Sequence, residues 1–115
     1  MSLRIYHNPR CSKSRETLAL LEQKGLQPEI IKYLDTPPDA DQLKTLLVQL
    51  GMNSARELMR TKEEEYKNLE LAKVHDEDTL IAAMVAHPRL IERPIVVNNN
   101  HAALGRPPEQ VLDIL

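Results

Sequence analysis

The single cysteine of this 115-residue chain stands in the stretch HNPRCSKSR, residues 7 to 15. Arg10, Lys13 and Arg15 lie within four residues of Cys11, and His7 lies just upstream. A cysteine kept for packing prefers apolar neighbours, whereas cationic neighbours favour the thiolate, which is the nucleophilic form. A thiol of pKa about 8.5 is only about 3% ionised at pH 7; lowered to about 6.5 it is about three-quarters ionised, worth about 2.7 kcal/mol to the charged form. His7 could donate a hydrogen bond to such a thiolate or share a proton with it. Ser14 occupies the place where a Cys-x-x-Cys pair would carry its second sulfur. Its hydroxyl can donate to the thiolate but cannot resolve a mixed disulfide, so any covalent intermediate on Cys11 needs an external thiol.

The elements that must position this thiol are legible around it. Leu3 to Tyr6 is short and apolar and stops at Asn8-Pro9, which predicts a buried first strand. Ser12 to Lys24 carries Leu18, Leu20 and Leu21 between charged residues, with Gly25 at the C′ position, which predicts a helix. Cys11 then lies between strand and helix, where unpaired N–H groups and the helix dipole favour negative charge. The amides from Ser12 to Arg15 could form a nest for a tetrahedral oxyanion beside the sulfur. A tyrosine-phosphatase loop would place an arginine six residues after the cysteine; Thr17 stands there, and that reading fails.

Further along, Glu29 to Tyr33 predicts a second strand, and Asp35-Thr36-Pro37-Pro38 breaks the chain. A helix opens at Pro38 or Asp39 and runs to about Leu50, with Leu43, Leu46, Leu47 and Leu50 on one face and Gly51 at its end. Ser54 is a good N-cap for a short helix to Leu58 or Met59. Glu63 to Glu70 reads as a charged, mostly exposed helix, and Asp76 to Ala86 as a more apolar one. Ile95 to Val97 and Ala102 to Leu104 predict strands joined by an Asn-rich hairpin turn. Gly105-Arg106-Pro107-Pro108 then opens a final amphipathic helix with Val111, Leu112 and Leu115. The order β-α-β, helical block, β-β-α predicts an α/β thioredoxin-like fold with a mixed sheet and a helical insertion at approximately 38–88, in a single domain spanning 1–115.

Composition bounds the function. Hydrophobic residues make up 42% of the chain and charged residues 28%, while Phe and Trp are absent, so Leu, Ile, Val, Ala and Met must build the core. The formal charge of −2 argues against a broad nucleic-acid or membrane surface. No apolar run is long enough to span a bilayer, no signal peptide is visible, and a lone thiol is easiest to keep reduced in the cytosol; a cytoplasmic location is expected. His75, His87 and His101 lack metal-ligand spacing, so no metal site is expected.

In IYHNPRCSKSRETL, YLDTPP, LMR, ERPIVV and GRPPEQVLDIL the chain closely resembles the glutaredoxin-coupled arsenate reductase family, collinearly from Ile5 to Leu115. The resemblance implies a thioredoxin-like domain with a helical insertion, Cys11 as nucleophile and His7 near it. It makes Arg60, Arg93 and Arg106 the oxyanion-binding arginines and Pro94 a structural cis-proline beside the cysteine loop. Permanently charged, fork-shaped guanidinium groups suit a tetrahedral oxyanion. The implied reaction reduces arsenate to arsenite through a Cys11 adduct resolved by glutathione and glutaredoxin. Glutathione is then a consumed reductant, and no bound cofactor is needed. The Ser-Lys-Ser-Arg segment after Cys11 departs from well-known members, which carry smaller, uncharged residues there; Lys13 adds charge beside the site. Two other readings stand beside the first. One is a glutathione-dependent thiol or disulfide reductase on the same fold. The other is a regulatory adapter binding RNA polymerase, although Ser14 removes the Cys-x-x-Cys switch that such adapters often use.

Overall fold

The computed structural model describes residues 2–115. Strand β1 (Leu3–Tyr6) leads through the cysteine loop into helix α1 (Ser12–Gln23), and the chain returns as β2 (Glu29–Ile31). Helices α2 (Ala40–Leu50), α3 (Glu64–Asn68) and α4 (Glu77–Ala86) follow, then the hairpin β3 (Ile95–Asn98) and β4 (His101–Leu104). Short 3-10 segments occupy Ala55–Leu58, Leu71–Lys73, Pro88–Leu90 and Pro108–Ile114. The sheet order is β2-β1-β3-β4; β1 runs parallel to β2 and antiparallel to β3, and β3 runs antiparallel to β4. This mixed sheet with its crossover helix is the thioredoxin-like arrangement. None of the described helices is long and apolar enough to cross a membrane.

Two compact units are present, residues 2–36 with Arg93–Leu115, and Pro37–Glu92. In the first, Leu3, Ile5, Leu21, Val96 and Val111 form the core, with Leu18, Leu20, Leu26, Ala103 and Ile114 packed against it. Each fully buried aliphatic side chain contributes about 1.5–3 kcal/mol, which compensates for the missing Phe and Trp by number. Helix α1 stops where Gly25, at φ 77°, lets its N–H reach the Glu22 carbonyl while Leu26 N–H reaches Leu21 O. A side chain at that φ is strained, so the predicted C′ glycine closes the helix. The hairpin turn is Asn99-Asn100, and Asn99 accepts a positive φ of 57°.

In the second unit, Asp39 and Gln42 form a reciprocal capping box at the start of α2, whose Leu43, Leu46 and Leu47 are buried. Ser54 and Glu57 form another ahead of Ala55–Leu58. The Glu77 carboxylate accepts from the Ala55 amide at 2.7 Å and the Ser54 hydroxyl at 2.8 Å, contacts that hold it below its usual pKa. Arg56 donates to the Tyr66 hydroxyl, to Leu71 O at 3.1 Å and to Val74 O, joining α3 to the 3-10 segment that follows it and to that segment's end.

Three expectations need correction. Strand β2 ends at Ile31 instead of Tyr33, because Asp35 and Thr36 amides both turn back to Lys32 O and end the ladder. The charged segment Glu63 to Glu70 is helical only over Glu64–Asn68; Glu70 takes φ 53°, and Tyr66 is buried. The final segment Pro108–Ile114 is a 3-10 helix. Its seven residues are few for a costly α nucleus, and Gln110 N–H closes on Pro107 O after three residues.

Candidate active site

The cysteine loop is built from its own backbone. His7 N–H donates to Ile31 O at 2.8 Å, carrying the β1–β2 ladder one step further. Asn8 then turns the chain: its side-chain oxygen accepts from Arg10 N–H at 3.0 Å and its carbonyl from Cys11 N–H at 3.0 Å. The Arg15 guanidinium donates to Pro9 O at 3.0 Å and holds the loop against the first turn of α1. Cys11 occupies the N-cap position with extended φ and ψ of −93° and 124°, and its carbonyl accepts from Arg15 N–H at 3.1 Å.

A thiol supplies no oxygen to cap the helix, and Cys11 makes no side-chain capping hydrogen bond there. Burial pushes the Cys11 pKa up, but the Ser14 amide and hydroxyl, the Arg93 charge and the Lys13 amide outweigh it, and the net shift is downward. The Ser14 side chain is fully buried and its hydroxyl has no hydrogen-bond partner, which leaves it available to the sulfur. The Lys13 side chain does something else: its ammonium pairs with Glu16 at 3.3 Å in a largely exposed salt bridge. Lys13 therefore serves the sulfur through its amide.

His7 is only 6% exposed, and its Nδ1 is buried without a hydrogen-bond partner. Burial, followed by the Lys32 and Arg15 charges, lowers its pKa, so the ring is neutral near pH 7. An uncharged imidazole can exchange a proton but adds no charge to the site.

Arg93 and Arg106 are brought together by strand register. Ile95 pairs with Leu104, and Gly105 N–H donates to Pro94 O at 3.0 Å, extending the ladder one residue past the hairpin. The next residues out are Arg93 and Arg106, and Arg106 Nη1 donates to Arg93 O at 3.1 Å. The Arg93–Pro94 and Arg106–Pro107 peptide bonds are both cis. Gly105 is required by close approach: a Cβ there would meet Thr17 Oγ1 at 2.3 Å and Pro94 Cγ at 2.8 Å. Thr17 itself is fully buried and donates to Lys13 O at 2.7 Å. Gly105, Thr17 and Pro94 thus lock the arginine-bearing end of the hairpin to the cysteine helix.

Arg60 belongs to the Pro37–Glu92 unit. Its guanidinium pairs with Glu63 at 3.2 Å and donates to Arg89 O at 3.3 Å. The sequence pattern does not disclose the Gly105–Thr17–Pro94 contact or the second cis bond at Pro107. The one available signal was arithmetic: antiparallel pairing of Ile95 with Leu104 places 94 opposite 105 and 93 opposite 106.

A helix-start thiolate beside a paired-arginine hairpin can bind and attack a tetrahedral oxyanion. The ArsC family model matches residues 6–114. The chain belongs to the ArsC family. A relative named arsenate reductase from Haemophilus influenzae is 52% identical over 116 residues, covering all of both chains. An Escherichia coli K12 relative, named uncharacterized protein YfgD, is 62% identical over 98% of this chain and 96% of its own. The solved structure of an arsenate reductase from Vibrio cholerae superposes with a TM-score of 0.97 at 61% identity, covering 100% of this chain and 98% of that one. Across that ArsC-family span lie Cys11, Arg60, Arg93 and Arg106 alike.

Proposed function

We propose that this protein is a cytoplasmic arsenate reductase that draws its electrons from glutathione and glutaredoxin. The observation that carries the reading is the lowered pKa of Cys11 together with the pairing of Arg93 and Arg106 at one end of the hairpin. Membership of the ArsC family and near-complete alignment with relatives named arsenate reductase support it.

In the first step the Cys11 thiolate attacks arsenic(V), an S–As bond forms, and one arsenate oxygen leaves as water. Glutathione thiolate then displaces a second oxygen at arsenic, again as water. The glutaredoxin thiolate attacks the glutathione sulfur and takes it as a mixed disulfide. The As–S electron pair remains on arsenic, which falls from arsenic(V) to arsenic(III). Water finally cleaves the Cys11–As bond, returning the thiol and releasing arsenite. Ser14 stabilises the thiolate before attack and as leaving group, and neutral His7 receives or returns protons. We assign Arg60, Arg93 and Arg106 to the arsenic oxygens, where preorganised donors stabilise developing charge. Because Cys11 has no resolving cysteine partner in this chain, the electrons must come from external thiols.

The test is NADPH oxidation coupled through glutathione reductase, with arsenate, glutathione and glutaredoxin present. Arsenate-dependent turnover is expected, abolished in Cys11→Ser and reduced in kcat/KM by roughly 10²-fold in Arg93→Ala. Turnover of small disulfides without any arsenate dependence would instead assign the site to thiol–disulfide reduction.

A further inference from the structure

Arg60 enters a local network. The Met59–Ile91 bridge ties its segment to the chain around residue 90, and Arg60 N–H donates to Leu90 O at 2.7 Å. The chain then turns so that Glu63 N–H reaches Arg60 O at 3.1 Å, and Glu63 O accepts from Tyr66 N–H at 3.1 Å at the start of α3. Backbone bonds therefore fix Glu63 on both sides. Its side chain is 18% exposed, and the carboxylate is shared: Oε2 lies 3.2 Å from Arg60 Nη2, and Oε1 lies 3.5 Å from Arg89 Nη2. Arg89 is 68% exposed and has Glu65 on its Nε at 3.9 Å.

We propose that Glu63 and Arg89 are positioning residues for Arg60: the carboxylate orients the guanidinium, and Arg89 tempers the carboxylate's competition with an incoming oxyanion. This rests on the assignment of Arg60 to the arsenate oxygens. A long arginine side chain loses rotamer freedom when it binds an anion, and anchoring it beforehand removes part of that cost. With Nη1 on Arg89 O and Nη2 on Glu63, the planar fork is already oriented, and its remaining N–H groups are left for a ligand. The anchor has a drawback. A carboxylate 3.2 Å from Arg60 opposes any second anion, and a half-buried carboxylate with one partner opposes it more than one with two.

Two charges acting in opposite senses predict a reversal on double substitution. Arg89→Ala leaves Glu63 to Arg60 alone, and KM for arsenate is expected to rise about five-fold, the value of a partly exposed ion pair. Adding Glu63→Gln removes the competing charge, and KM is expected to return toward wild type although a second group has been lost. Glu63→Gln alone gives a KM no higher than wild type with a lower kcat, because the anchor is lost but so is the competition. A merely structural pair would show additive losses and no recovery of KM. Steady-state kinetics in the coupled assay on wild type, Arg60→Ala and these three variants decide it, with melting curves establishing folding. An unchanged KM in Arg89→Ala, or a double variant no better than Arg89→Ala, overturns the inference while a raised KM in Arg60→Ala keeps the parent reading. If Arg60→Ala leaves KM unchanged, or wild type gives no arsenate turnover, the parent assignment fails and this inference falls with it.

Discussion

Gly105→Ala probes the packing that joins the hairpin to the cysteine helix. The new methyl carbon would lie 2.3 Å from Thr17 Oγ1, 2.8 Å from Pro94 Cγ and 3.1 Å from Thr17 Cγ2. Ordinary carbon contacts lie near 3.5–4.0 Å, so the shortfall exceeds what small adjustments absorb. Neither neighbour can swing away: Thr17 is fully buried with its hydroxyl on Lys13 O, and Pro94 is a buried ring. Overpacking of this kind costs about 1–3 kcal/mol, and a disturbed Thr17 hydrogen bond adds about 1 kcal/mol. Restricting the unfolded chain returns about 0.4–1 kcal/mol. The net loss is about 1–3.5 kcal/mol, which for a chain of this length lowers Tm by about 4–14 °C. Thr17→Ala removes two of the three obstructing atoms. The double variant Gly105→Ala/Thr17→Ala should therefore melt above Gly105→Ala alone, even though Thr17→Ala by itself is destabilising. Calorimetric or denaturant melts of the four proteins provide the assay. A Gly105→Ala protein melting within about 2 °C of wild type, or a double variant showing simple addition of losses, would falsify the packing argument.

Other perturbations test the site and its support. Ser14→Ala keeps the amide but removes the hydroxyl donor, so the pH midpoint of Cys11 alkylation by iodoacetamide should rise by about 0.5–1 pH unit, about 0.7–1.4 kcal/mol; an unmoved midpoint removes the hydroxyl from the account. His7 has a folded-state pKa below its unfolded value of about 6.5, so keeping it neutral contributes stability that is present above that pH and lost as pH falls toward the folded value. His7→Gln should accordingly flatten the fall in urea midpoint between about pH 7.5 and 5, and an equally steep fall would count against the burial argument. Arg56→Ala should lower stability by about 3 kcal/mol by leaving Leu71 O, Val74 O and the Tyr66 hydroxyl without their donor. Arg56→Lys should recover little of this, since one ammonium does not reproduce the guanidinium's fork; a denaturant midpoint equal to wild type would refute that.

Local chemistry explains which features were readable from the chain. Asp39, Ser54 and Gly25 mark helix ends because a side-chain oxygen satisfies an orphan amide, or because a positive φ requires no Cβ; each acts within a few residues. The Asn-rich turn between β3 and β4 is readable for the same reason. The 3-10 form of Pro108–Ile114 was not, because its apolar spacing suits a short α-helix as well. The end of β2 escaped too, since the turn at Lys32 depends on backbone bonds from Asp35 and Thr36.

The sequence alone determined that one thiol sits at a helix start among cations, that it has no resolving cysteine, and that strands and helices occur in a thioredoxin-like order. Those are matters of residue identity and short-range preference. Only the tertiary structure decided which groups lower the Cys11 pKa, that Lys13 acts there through its amide while its ammonium turns to Glu16, and that burial lowers the His7 pKa. It alone placed Gly105 against Thr17, 88 positions away in the chain, and against Pro94, and paired Arg106 with the Arg93 carbonyl. Burial and hydrogen-bond geometry depend on distances between atoms, and residues remote in sequence acquire those distances only when the sheet register is set.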